Sequence, residues 1–130
     1  MRMRHIPLIL LLLSGCSSVG VNRPTSLPDF KPVEAPSQAG IQKGVSIVVK
    51  DAKLQQPVEI SAVRKTDHGP GSYYVCLREM NASAERSRNI YSVFFDNEDF
   101  KGSRLSVIMD DCEHQFYSPI QIVTTGSDKS

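Results

Sequence analysis

The chain lacks most of what marks a membrane-spanning protein, a nucleic-acid binder or a catalyst. Its apolar stretch Pro7 to Leu13 falls far short of the roughly 20 residues a helix needs to cross a bilayer, and no later segment comes closer. An excess of one charge is also missing, with Lys and Arg at 15 against Asp and Glu at 14. Both signs are interspersed and no basic stripe forms, so neither nucleic acid nor an anionic headgroup surface is expected as the main partner. Histidine is scarce, at 3, and neither His68 nor His114 sits in a spacing that names a catalytic class. There is no G-x-S-x-G elbow, no phosphate-cradling glycine loop and no H-E-x-x-H, so no catalytic residue, metal or cofactor is expected.

Cysteine is scarce too, at 3, and one of them stands in a telling place. In "MRMRHIPLILLLLSGC", Arg2 and Arg4 precede the apolar stretch, and small residues close it. That order is a charged region, a hydrophobic region and a cleavage site. Leu13-Ser14-Gly15 followed at once by Cys16 resembles the lipobox of bacterial lipoproteins. The resemblance implies a signal peptide over residues 1–15, cleavage before Cys16 and acylation of that cysteine. Two or three acyl chains, at about 0.8 kcal/mol per buried methylene, give a stable membrane anchor without a spanning helix. Ser17 follows the cysteine. In the enterobacterial form of this sorting system an aspartate there favours retention in the inner membrane, so the resemblance implies the outer membrane, facing the periplasm.

With Cys16 committed to lipid, Cys76 and Cys112 remain, and a chain outside the cytoplasm sits where disulfides persist. They are expected to pair, the alternative being two buried thiols.

From residue 16 to 44 the chain is the lipidated terminus and a tether. Pro24, Pro28, Pro32 and Pro36 recur at every fourth residue, and apolar residues are too few for a core. Prolines favour extended geometry, and at about 3.1 Å per residue such a segment reaches up to about 80 Å. The globular domain is expected over 45–124, followed by a disordered tail over 125–130.

The domain opens on an ambiguous segment. Ile41, Val45, Val48 and Ala52 form a helical stripe, while Val45, Ile47 and Val49 alternate like a strand. Helix is favoured, although Gly40 and Gly44 weaken it and Pro57 bounds either element. Four strands follow, "VEISAVRKT", "SYYVCLREM", "NIYSVFFD" and "SRLSVIMD", separated by polar turns. The expected fold is α+β: one N-terminal helix packed on a four-stranded antiparallel meander, with one disulfide clipping the end of the sheet to its middle.

The body, with "RKTDHGPGSYYVCLRE" and "YSVFFDNEDFKGSRLSVIMDDCE", resembles small proteobacterial envelope lipoproteins over roughly residues 45 to 120. The resemblance implies an address and a pattern and carries no catalytic residues. The arrangement of helix then meander is also broadly similar to lipoprotein subunits of outer-membrane assembly machinery.

Three polar or aromatic clusters remain. "DDCEH", from Asp110 to His114, offers carboxylates and an imidazole, but contiguous residues at a strand end point to different faces, so a solvated terminus is favoured over a metal site. "DNEDFKG" has its glycine at the seventh place from Asp96 and Val107 at the twelfth, and so is read as a turn rather than a calcium loop. "DHGPGSYY" offers a possible recognition surface of His68, Tyr73, Tyr74 and Arg78, since aromatics are enriched at binding hot spots. The competing reading of the tyrosines is ordinary sheet packing. Arg86, Arg88 and Arg104 would extend a basic rim around it.

The functional expectation is therefore a lipid-anchored, non-enzymatic interaction module of the cell envelope that contacts another envelope protein or peptidoglycan. The alternative is a periplasmic small-ligand binder or hydrolase inhibitor, loosely similar in size, lipidation and disulfide to lysozyme-inhibitor lipoproteins. Their serine-glycine and tyrosine signature is not matched by "GPGSYY".

Overall fold

The computed structural model describes residues 20, 30–85 and 89–123. The chain divides into a unit of residues 1–30 and a unit of residues 31–130, and every described helix and strand belongs to the second. Cys16, the expected signal peptide and most of the proline-rich segment lie outside the described residues. Among those described, no helix is long and apolar enough to cross a membrane.

The ambiguous opening segment is a helix, α1 (Gln38–Asp51). It begins inside the stretch read as tether, because Ser37 supplies a cap: its Oγ accepts from the Gly40 N–H at 3.2 Å. Ser37 is itself held by Glu98, whose carboxylate accepts from the Ser37 N–H at 2.7 Å and from its hydroxyl at 2.6 Å. These Ser37 hydrogen bonds hold the Glu98 carboxyl below its usual range. Next to it, Asn97 and Glu34 exchange two hydrogen bonds, of 2.9 and 3.1 Å. The helix ends in a Schellman-type turn, with Lys53 at φ 53° and the Leu54 N–H bonded to the Val49 carbonyl at 2.9 Å.

The stripe Ile41, Val45, Val48 and Val49 is buried, as the helical period requires. It packs on one face of the sheet against Val58, Ile60, Val75, Leu77, Val93 and Phe95. Full burial of a valine such as Val45 contributes about 1.5 kcal/mol. Gly44 is explained here: a β-carbon on it would lie 2.5 Å from Cε1 of the buried Phe95 ring. Gly44→Ala is therefore expected to cost about 2 kcal/mol despite the better helix propensity of alanine. Gly40→Ala should be milder, since the exposed Glu98 carboxylate can swing aside at the cost of its bond to the Ser37 hydroxyl, whereas the Phe95 ring is fixed in the core. Paired urea melts of the two variants check the difference, and equal stabilities would contradict it.

Among the described residues the sheet has six strands rather than four. These are β1 (Val58–Ser61), β2 (Arg64–Lys65), β3 (Tyr73–Glu79), β4 (Tyr91–Asp96), β5 (Asp99–Leu105) and β6 (Tyr117–Ile120). Their order is β5-β4-β3-β1-β6, with β2 also on β3, and every pairing is antiparallel. A meander is thus present from β1 through β5, and β6 extends it at the opposite edge. The expected first strand is two strands because the ladder breaks at Ala62 and Val63, where Ser61 Oγ takes the Cys76 N–H at 2.8 Å. The expected fourth strand starts earlier and ends sooner. Asn97 and Glu98 alone make the β4–β5 turn, with Asn97 at φ 51°, so "DFKG" belongs to β5. After Leu105 the chain leaves the sheet for two 3-10 turns, Ile108–Asp110 and Cys112–His114.

Candidate functional site

Consecutive residues of a strand face opposite sides, and both sides of β3 are covered. Tyr73, Val75 and Leu77 take the face under α1, and Tyr74, Cys76 and Arg78 take the other. This geometry sets apart the residues of the possible recognition surface. Tyr74 is 4% exposed, packs 5.9 Å from the Phe94 ring, and donates its hydroxyl to the Asp110 carbonyl at 2.7 Å. Burial raises its pKa. Tyr73 is half-buried, on the opposite face, and donates to the Val33 carbonyl at 3.3 Å. Arg78 pairs with Glu59 at 2.7 Å and lies 3.7 Å over the Tyr117 ring. His68 is exposed on the loop before β3, 2.8 Å from Asp67. The four residues do not share one surface. Of the basic rim, Arg104 is engaged with Asp110, while Arg86 and Arg88 lie outside the described residues.

The sequence missed the segment between β5 and β6. It closes over the second face of the sheet and is pinned there by four devices. The disulfide Cys76–Cys112 joins it to the middle of β3 with both cysteines buried. Tyr117 donates its hydroxyl to the Cys112 carbonyl at 2.6 Å, and burial pushes that phenol up to about 12. Tyr74 holds the Asp110 carbonyl, as described. The fourth device is the Asp110 side chain, 1% exposed.

Its Oδ2 accepts from Ser92 Oγ at 2.7 Å and from the Val107 N–H at 3.1 Å, and its Oδ1 accepts from Arg104 Nη2 at 3.1 Å. Burial alone raises its pKa, but the three donors overcome that and hold the carboxyl below its ordinary value. Arg104 lies 4.8 Å over the Phe94 ring and also donates to the His68 carbonyl at 3.1 Å. Its Nε is buried without a hydrogen-bond partner among the described residues, a further sign that this guanidinium is placed by Asp110 and the ring. A carboxylate with both oxygens engaged serves as a fastener rather than as an acid or base.

Asp110 turns in while its neighbours turn out. Asp111 is exposed at φ 52°, meets His114 Nδ1 at 2.7 Å and lies 3.8 Å from Arg64. The Asp111 carboxylate, accepting from the His114 ring, raises the pKa of His114. No group of three or more metal-ligating side chains occurs among the described residues.

Pinning the base of this segment pushes its apolar residues outward. Ile108 is 98% exposed and Met109 is 60% exposed, with Leu105 and Val107 also exposed beside them. A hollow of about 200 Å³ lies between the two turns, bordered by Val107, Ile108, Asp111, Glu113 and His114. Three consecutive apolar residues presented to water on a fixed loop are unusual for an isolated domain, and such patches mark contact sites. The signal available in the sequence was the unbroken run Val107-Ile108-Met109, which does not alternate as a half-buried strand should.

No known family profile, curated protein or solved structure matches the chain.

Proposed function

We propose that this chain is a lipid-anchored, non-enzymatic interaction module of the cell envelope. Cys16 carries the lipid, the proline-rich segment is the tether, and Val107, Ile108 and Met109 are the contact. The outer membrane facing the periplasm is its proposed address. The observation that carries the reading is the pinned loop: a buried charged network and a disulfide hold apolar side chains in water, which stabilises nothing in the isolated domain. An apolar tip fits a pocket on an envelope protein better than it fits peptidoglycan, whose surface is polar. Preorganisation of the loop lowers the ordering cost on binding.

A second reading, inhibition of a periplasmic hydrolase, is favoured by one feature of the same loop, its disulfide-tied protrusion. The two separate in one experiment. Crosslinking in cells followed by affinity recovery should return an envelope complex from the native chain. It should return little from the unlipidated Cys16→Ala variant. Ile108→Asp with Met109→Asp should lower recovery about tenfold, while stability changes by no more than about 0.5 kcal/mol because both side chains are exposed. Recovery of a soluble hydrolase would favour inhibition, and recovery unaffected by the loop variants would contradict both readings.

A further inference from the structure

The sulfur atoms of the described residues differ sharply in their access to water. The Cys76–Cys112 disulfide is buried at both ends beneath the loop. The thioethers of Met80 and Met109 belong to residues that are 40% and 60% exposed. Met1 and Met3 fall within the expected signal peptide. Met109 is therefore the sulfur most open to a dissolved oxidant among the described residues, and it is also one of the three residues of the proposed contact.

The fold keeps that side chain outside whatever the state of its sulfur. The inward position of the turn is filled by the next residue, Asp110, through Ser92, Arg104 and the Val107 N–H. Turn bonds close the backbone on both sides of Met109: the Asp110 N–H donates to the Val107 carbonyl at 2.9 Å, and the Asp111 N–H to the Ile108 carbonyl at 3.2 Å. The disulfide then fastens Cys112 to β3. A loose loop could withdraw a modified residue and dock through its neighbours. This one holds residue 109 in the contact.

We propose that Met109 is an oxidation site that turns the contact off: a peroxide converts its thioether to the sulfoxide, and the loop no longer docks. The proposal rests on the reading of Val107, Ile108 and Met109 as the contact. A sulfur lone pair attacks one peroxide oxygen, the O–O bond breaks, an S–O bond forms and the second oxygen leaves as water. Sulfur gives up two electrons and the peroxide takes them. The sulfoxide is a hydrogen-bond acceptor that an apolar pocket leaves unsatisfied, so docking must strip its water without replacing it. The domain's own packing is untouched, since Met109 belongs to neither core cluster. A thiol-dependent sulfoxide reductase reverses the step, two thiols becoming a disulfide while the oxygen leaves as water. The buried Cys76–Cys112 bond is out of reach of that exchange.

The test treats the full lipidated chain in detergent micelles with hydrogen peroxide and maps the added oxygen by peptide mass spectrometry. Recovery of the partner from solubilised envelope is then compared before and after treatment. Met109 should gain oxygen ahead of Met80, and recovery should fall about tenfold as it does so. Repair with reductases for both sulfoxide epimers should restore it. Met109→Leu should recover equal amounts from treated and untreated samples, while Met80→Leu should lose recovery as the native chain does. Met80 reacting first, recovery indifferent to peroxide, loss that repair does not restore, loss that persists in Met109→Leu, or a fall in urea stability on oxidation would each overturn the proposal. Ile108→Asp separates the two readings. If it recovers as much as the native chain, the contact reading fails and this proposal with it; if it recovers less and peroxide changes nothing, this proposal alone fails.

Discussion

Replacing Cys76 and Cys112 together by alanine should lower the stability of the domain by about 4 kcal/mol, a large share of what a domain of this size possesses. The sequence separation of 36 sets the scale, since the bond removes from the unfolded chain the freedom of a loop of that length. Packing adds to it: Cys76 is fully buried in β3, and Cys112 Sγ lies 3.7 Å from the buried Ser92 hydroxyl. The bond also fastens the loop to the sheet, so hydrogen exchange in residues 106–116 should accelerate more than in β3 or β4. Urea denaturation followed by circular dichroism measures the first effect. A loss below about 1 kcal/mol would show that the hydrogen bonds around Asp110 hold the segment by themselves.

Asp110→Asn should cost about 3 kcal/mol, because Arg104 loses its charged partner and Ser92 and the Val107 N–H lose a strong acceptor. The effect has a pH signature. The folded carboxyl titrates below its ordinary value of 3.8, so the unfolded chain binds the proton more readily. The stabilisation is therefore complete above the unfolded value and is lost as pH falls through the folded value. The native domain should weaken below about pH 4. The variant should start lower at neutral pH and lose less on acidification. Parallel acid-loss profiles for the two proteins would remove Asp110 from its proposed part. The same substitution frees the base of the loop, so partner recovery should fall even though Ile108 and Met109 are intact.

Much of the architecture could be read from residue order. The stripe Ile41, Val45, Val48 predicted α1, and the runs "YYVCL" in β3 and "VFF" in β4 are apolar enough to be central strands. The Cys76–Cys112 pairing was expected once Cys16 was set aside as the residue expected to carry lipid. Gly40 and Gly44 weakened the helical reading, because a glycine lowers helix propensity wherever it sits, while its reason here, the approach of Glu98 and Phe95, is a tertiary fact. β6 was missed because "YSPI" is brief and contains proline, which an edge tolerates.

The sequence left Tyr73 and Tyr74 between a recognition patch and ordinary sheet packing. Strand alternation sends them to opposite faces, and here both faces are covered, one by α1 and one by the pinned loop. The cluster "DDCEH", expected to be a solvated strand terminus, lies instead in two 3-10 turns beyond the sheet, with Asp110 buried and Asp111 exposed. What the sequence could not show is that Asp110 would be the inward one, since that depends on Ser92 and Arg104 meeting it from β4 and β5.

The most direct measurement is photocrosslinking from a single residue in intact cells. A photoreactive amino acid replaces Ile108 in the lipidated chain, and a control chain carries it at Lys50, exposed on α1. The expected result is one discrete adduct with an envelope protein from position 108, absent from the control and lost with Cys16→Ala. No adduct, or the same adducts from both positions, would contradict an anchored domain that docks through this loop.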